Sequence, residues 1–108
     1  MSQQAVSIGS RVRGIGTAIA TGGNSATQDF SFARSTFTVY QVPHGTVTTA
    51  SLQLQGSTDG GTTWFNLGSA STATTQTAWS VTGVAAQTVR VTVTITGGGN
   101  FDLYLAAV

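Results

Sequence analysis

The stretch Ala50-Ser51-Leu52-Gln53-Leu54-Gln55-Gly56-Ser57-Thr58-Asp59-Gly60-Gly61-Thr62-Thr63-Trp64-Phe65-Asn66-Leu67 decides the fold class. Side chains alternate across a strand, so Ala50, Leu52, Leu54 and Gly56 share one face and Ser51, Gln53 and Gln55 the other. A polar turn follows. Asp59 can accept hydrogen bonds from nearby backbone N–H groups, and Gly60 and Gly61 take positive φ without steric cost. Trp64 then returns the chain to a packed surface. The unit reads strand, tight turn, strand.

The same pattern continues on both sides. In residues 88–96, Val89, Val91, Val93 and Ile95 face one way; Thr88, Arg90, Thr92, Thr94 and Thr96 face the other. Gly97-Gly98-Gly99-Asn100 turns the chain. Phe101, Leu103, Leu105 and Ala107 then continue a buried face, with Asp102 and Tyr104 pointing outward. Upstream, Phe30 and Phe32 alternate with Ser31 and Ala33, and Phe37 and Val39 with Thr36, Thr38 and Tyr40. This predicts a strand over about 35–42, with a weaker one before it. Val42-Pro43-His44-Gly45 should end it, because Pro43 cannot donate to a ladder. Residues 46–55 form the next strand. The Ser/Thr/Ala run at 69–77 reads as a surface loop or exposed edge. Residues 78–81 read as a short strand and 83–87 as a turn.

No window carries helical periodicity. Short strands at close spacing with Gly-rich turns predict an all-β fold: an antiparallel β-sandwich or jelly roll of about eight strands, over residues 28–108. Residues 1–27 are light, with isolated Val6, Ile8, Val12, Ile15 and Ile19. They read as short strands or as an extended N-terminal arm that orders against a partner. Thr21-Gly22-Gly23-Asn24-Ser25 is a loop signal.

Composition narrows the function classes. The 108 residues fit one domain, whose core as a monomer is thin. Charged residues are 6% of the chain, against roughly 25% in ordinary soluble proteins. There is no Lys and no Glu; the charges are Arg11, Arg13, Arg34, Arg90, Asp29, Asp59 and Asp102. Four scattered Arg do not make a nucleic-acid surface. A weakly charged, Thr-rich surface has little electrostatic repulsion against self-association, which points to a chain packed against its own copies or a larger assembly. A compositional bias of the host compartment explains the same surface more blandly. With no Cys there are neither disulfides nor thiolate metal sites. No apolar run reaches the roughly 20 residues that a membrane-spanning helix needs. Met1-Ser2-Gln3-Gln4 lacks the basic start and apolar core of a signal peptide, so the protein is expected to act where it is made or to leave the cell by lysis.

Candidate sites are few. Ser57-x-Asp59-x-Gly61-x-Thr63-Trp64 matches the Asp-box pattern, Ser-x-Asp-x-Gly-x-Thr-Trp, at all five positions. It is similar to the hairpins that recur in sialidases and other β-propellers, where the box is a folding device. One copy in 108 residues excludes a propeller by length. A structural turn is therefore expected; a calcium site needs six to eight oxygens, and Asp59 is the only carboxylate nearby in sequence. No metal and no cofactor are expected. His44, the only histidine, could join a Ser and an Asp, but no nucleophile-elbow spacing surrounds any Ser. Asp29 and Asp102 are the remaining candidate for an acid–base pair. No enzymatic activity is expected. Trp64, Trp79, Tyr40 and Tyr104 are placed to stack on sugar rings or to anchor a core or an interface. Arg90 is expected to pair with Asp102 across the final hairpin. Arg11 and Arg13 share a face if the N-terminal segment is extended, and could dock an acidic patch.

From Val47 onward the chain resembles small β-sandwich proteins of tailed-bacteriophage virions. The residues that carry the resemblance are Leu52 to Leu67, then Val89-Arg90-Val91-Thr92-Val93-Thr94, the glycine turn, and Phe101 to Ala106. The resemblance implies a virion component: first a capsid decoration (cement) protein on the capsid surface, second a tail, neck or fibre component. It would be made in the bacterial host cytoplasm. Its partners would be the major capsid protein or another virion protein, and copies of itself as a homo-oligomer, a trimer among the options. Neither nucleic acid nor membrane is an expected partner. Arg11, Arg13, Tyr40, Trp79 and Tyr104 are the candidate contacts. A lectin-like carbohydrate-binding module is the alternative from a different class.

Overall fold

The computed structural model describes residues 12–108. Within them lie six strands: β1 (Arg13–Ile19), β2 (Gln28–His44), β3 (Thr49–Ser57), β4 (Trp64–Asn66), β5 (Thr77–Thr96) and β6 (Asn100–Ala107). There is no helix among the described residues. Every strand pairing is antiparallel, in the order β1-β6-β2-β5-β3-β4.

Two strands are too long for one layer. β2 has 17 residues and β5 has 20. Straight, they would span roughly 55–65 Å at about 3.3 Å per residue, whereas the longest dimension of the molecule is 41 Å. They bend, and each contributes its two halves to different layers. Their mutual register shifts between Asp29 and Arg34 and again between Arg34 and Thr36. In the first layer, β1 pairs with β6, β6 with residues 36–44, and these with residues 77–82. In the second, residues 88–96 pair with β3. Residues 22–29 line the far edge of 88–96: the Gly22 and Ser25 N–H groups donate to the Val93 and Val91 carbonyls, each at 2.8 Å. Residues 64–71 line the far edge of β3, through β4, the Leu67 N–H on the Leu54 carbonyl at 2.8 Å, and the Leu52–Ser71 bridge. The two layers close as a β-sandwich over one apolar core.

That core is the alternation seen in the sequence. Leu52 and Leu54 of β3, Val89, Val91 and Val93 of β5, and Phe101, Leu103 and Leu105 of β6 are at most 1% exposed, as are Phe37 and Val39 of β2. Ile15, Phe30, Val81 and Ala107 complete it.

The strand limits differ from the expected ones in instructive ways. Residues 28–44 are one strand, not two, and it runs through Pro43, opposite Phe101. Residues 83–87 are no turn between separate strands but the place where β5 passes from one layer to the other, with Gly83 at φ 77°. β5 and β6 do not form a hairpin. Gly97-Gly98-Gly99 carries the chain across the sandwich, and β6 pairs with β1 and β2 instead. Gly97 has φ 115°, and a Cβ there would stand 2.8 Å from the Thr46 carbonyl oxygen. Within the N-terminal segment, residues 13–19 form an edge strand and residues 22–25 hydrogen-bond to the edge of 88–96; residues 1–11, with the short strand expected around Val6 and Ile8, lie outside the described residues.

The run at 69–77 is tied down by one buried side chain. Gln41 is fully buried on β2. Its Nε2 donates to the Ala73 carbonyl at 2.7 Å and the Thr75 carbonyl at 3.1 Å. Its Oε1 accepts from Ser71 Oγ at 3.0 Å and Trp79 Nε1 at 2.9 Å. These four bonds use the full capacity of the amide. Replacing it with a similar-sized apolar group strands its polar partners. Gln41→Leu is therefore expected to destabilise the chain by about 3 kcal/mol, read as a lower urea midpoint; an unchanged midpoint would show that the segment is held some other way.

Candidate functional site: the Asp59 hairpin and the cleft beside it

β3 delivers Ser57 to the turn, and the turn is built from its own side chains. Ser57 Oγ donates to Asp59 Oδ1 at 2.8 Å and accepts from the Gly61 N–H at 2.8 Å and the Asp59 N–H at 3.3 Å. Asp59 Oδ1 also accepts from the N–H groups of Thr62 (3.1 Å) and Thr63 (2.8 Å). Gly60 and Gly61 sit at φ 78° and 110°, a region costly for any residue with a Cβ. The indole N–H of Trp64 donates to the Gly61 carbonyl at 3.0 Å and seals the loop. The Thr63 amide, then the Ser57 hydroxyl, hold the Asp59 carboxyl well below the usual carboxylate range. Asp59 Oδ1 is thus engaged by three protein donors, and all five pattern residues lie in one self-contained hairpin.

Trp64 carries the hairpin into the outer surface of the second layer. The Arg90 guanidinium lies 4.2 Å from its ring centroid. Arg90 Nε donates to Gln55 Oε1 at 3.0 Å, and Gln55 Nε2 donates to Asn66 Oδ1 at 2.9 Å. The chain Arg90–Gln55–Asn66 crosses β5, β3 and β4. The expected Arg90–Asp102 pair does not form, because the two residues stand in different layers.

Asp102 has other partners. Its Oδ1 accepts from the Ala18 N–H at 2.8 Å, and its Oδ2 lies 3.0 Å from His44 Nε2. Ala18 has φ 53°, at the irregularity where the β1–β6 register shifts between Gly16 and Ile19. The Ala18 amide, then His44, lower the Asp102 pKa. His44 and Asp102 thus fasten the bulged end of β1. Asp29 accepts instead from Thr88 Oγ1 at 3.3 Å, so the two carboxylates are not brought together as an acid–base pair.

The partner-contact candidates separate. Arg11 lies outside the described residues. Arg13 is half-buried, 5.0 Å from the Phe30 ring centroid and 3.5 Å from Gln28 Oε1. Trp79 is half-buried, its N–H spent on Gln41. Tyr40 and Tyr104 stand directly opposite each other across β2 and β6 on the outer face of the first layer, 37% and 39% exposed.

Two features were not anticipated. Arg34, a charged residue in a strand, is buried at the bend of β2. Its guanidinium is 4.7 Å from the Phe30 centroid and 4.5 Å from the Phe32 centroid, and its Nη1 donates to the Ala107 carbonyl at 3.3 Å. The Phe30-x-Phe32-x-Arg34 spacing, which places all three on one strand face, was the available signal. The second feature is a cleft of about 650 Å³ beside the Asp59 hairpin, bounded by its foot, by Phe65 and Leu67, and by the bends of β2 and β5.

This geometry defines a small antiparallel β-sandwich with one self-tied hairpin and one mixed polar–apolar cleft. Compared with protein-family models, curated proteins and solved structures, the chain has no significant match.

A carboxylate whose folded pKa is depressed stabilises the fold above its unfolded pKa and loses that contribution as pH falls through the folded value. For Asp59 the loss begins at about pH 4, the ordinary carboxylate range, and continues below it. Asp59→Asn is expected to lower the denaturation midpoint at pH 7 and to narrow the gap between midpoints at neutral and strongly acid pH. An unaltered gap would show that the hairpin bonds do not depend on the charge.

Proposed function

We propose that this chain is a structural protein of a bacteriophage virion, a capsid decoration protein that stabilises the shell through protein–protein contact. One observation carries the reading: the outer face of the first layer is aromatic, small and nearly uncharged. Tyr104 faces Tyr40 on one side and Gly14 on the other, and Tyr40 faces Ala78. The next row pairs Ala106, Thr38 and Ser80, the last two linked by a 3.1 Å hydrogen bond. Among the described residues, His44 and Asp102 on this face are paired to each other. A shallow hollow of about 230 Å³ opens beside Tyr40, lined also by Val42, Gln76 and Ala78. Exposed Tyr at the centre of a low-charge patch is the composition of an interface core.

Connectivity supports the same reading. The first layer runs 13–19, 100–107, 36–44, 77–82, and the second runs 22–29, 88–96, 49–57, 64–71. We read this eight-segment interleaving as a jelly roll, an architecture used by viral capsid and lectin domains. The phage-virion resemblance from Val47 onward adds the setting. A tail, neck or fibre position would use the same face.

In particles purified from the phage that encodes the chain, mass spectrometry and cryo-electron microscopy should find it in many copies on the shell. Absence from intact particles would end the reading. In solution, sedimentation should show a homo-oligomer. Tyr104→Arg should weaken it by about tenfold or more, as expected for loss of an interface anchor, without lowering the thermal midpoint at dilutions where both chains are monomeric. A strict monomer at every concentration would remove the self-association.

A further inference from the structure

We infer that the cleft between the Asp59 hairpin and the bends of β2 and β5 is a binding site for a neutral saccharide. The inference stands apart from the proposed contact face, which lies on the other layer.

Size is the first requirement. About 650 Å³ falls inside the range of roughly 300–1,000 Å³ typical of small-molecule pockets. That is room for one or two sugar rings. The shape depends on small side chains. Gly56, Ala33, Ala85 and Ala86 all line the cleft. A Cβ on Gly56 would press to 2.9 Å from Leu67 Cδ1 and 3.1 Å from the Ala86 Cβ.

The lining chemistry is the second. Phe65, on the short strand β4, leaves 52% of its surface in water although it is large and apolar. Its ring is available as a platform for the apolar face of a sugar, since an aromatic face carries the negative side of its quadrupole toward C–H groups. Asp29 is the only carboxylate in the lining. Thr88 Oγ1 donates to its Oδ1 at 3.3 Å, which steadies the carboxylate and leaves Oδ2 open to ligand hydroxyls. Thr58 and Gln87 are exposed in the same lining and add groups that both donate and accept. An acceptor-only carboxylate, amide and hydroxyl groups and an aromatic ring lining one cleft are complementary to a ring of adjacent hydroxyls with an apolar face.

Charge excludes the neighbouring ligand classes. No Arg or His lines the cleft among the described residues. A phosphate or acidic sugar would meet Asp29 with no compensating cation. A calcium ion would find one carboxylate where six to eight oxygen ligands are wanted.

The test is an NMR titration of the isotope-labelled full chain with a panel of neutral mono- and disaccharides at millimolar concentration, with arginine methyl ester and inorganic phosphate as controls. Saturable shifts at the amides of Asp29, Thr58, Phe65 and Gln87 are expected with at least one sugar. Phe65→Ala and Asp29→Asn should each weaken that binding by about tenfold or more, as loss of a stacking platform or a charged acceptor does. Asp29→Asn keeps the side-chain shape, so it remains informative if Phe65→Ala folds poorly. No saturable response to any neutral sugar would overturn the inference, and so would a tighter response to either control.

Discussion

Everything in this fold follows from two strands that belong to both layers at once. β2 and β5 pair across their bend, so the layers cannot slide or separate without breaking a shared ladder. Small residues lie at the bend, Ala33 on one strand and Gly83, Ala85 and Ala86 on the other, and beside them Arg34 is laid between the Phe30 and Phe32 rings. Burying a guanidinium is costly unless its charge is met by dipoles and π-faces. Here two phenylalanine rings and the Ala107 carbonyl meet it, at the point where the final strand ends against β2. The cleft beside the Asp59 hairpin is a by-product of the same bend: where strands leave one layer for the other, the sandwich opens.

With so few charges, the chain orders itself through neutral amides and hydroxyls. Gln41 anchors a nine-residue run of almost structureless composition by three bonds to one side chain, with a fourth to Trp79 just beyond it. Gln53 does similar work at the other flank, its Nε2 donating to the carbonyls of Leu54, Leu67 and Gly68 at 2.9–3.2 Å. Ser57 and Asp59 close the hairpin without help from elsewhere. Each device is local in space, and Gln41, the fully buried one, has every donor and acceptor of its amide paired, as a low-dielectric interior requires.

The legible parts of the structure are those whose physics is local in sequence. The Val89–Ile95 and Phe101–Ala107 alternations forecast their burial because period two and one-sided burial are the same fact. The hairpin at Asp59 was legible because every bond in it falls between Ser57 and Trp64. The position of Gln41 was implied by its parity with Phe37 and Val39, but its partners lie thirty residues onward and nothing local announces them. The Arg90–Asp102 expectation failed because a glycine-rich turn looks the same whether it closes a hairpin or crosses between layers. The segment at 83–87 misled for a related reason: a sharply bent strand and a reverse turn draw on the same small residues. The cleft was illegible, since its walls come from stretches of chain far apart in sequence.

The outermost strands of the pairing order are both spoiled as templates. β1 is interrupted by two register shifts and a left-handed Ala18, and β4 is three residues long. A chain with no lysine to guard its rims would otherwise offer straight rows of free amides to any passing segment, the starting point of cross-β fibrils. At those two rims an incoming segment meets a broken or very short row of backbone groups, which disfavours edge-to-edge addition there.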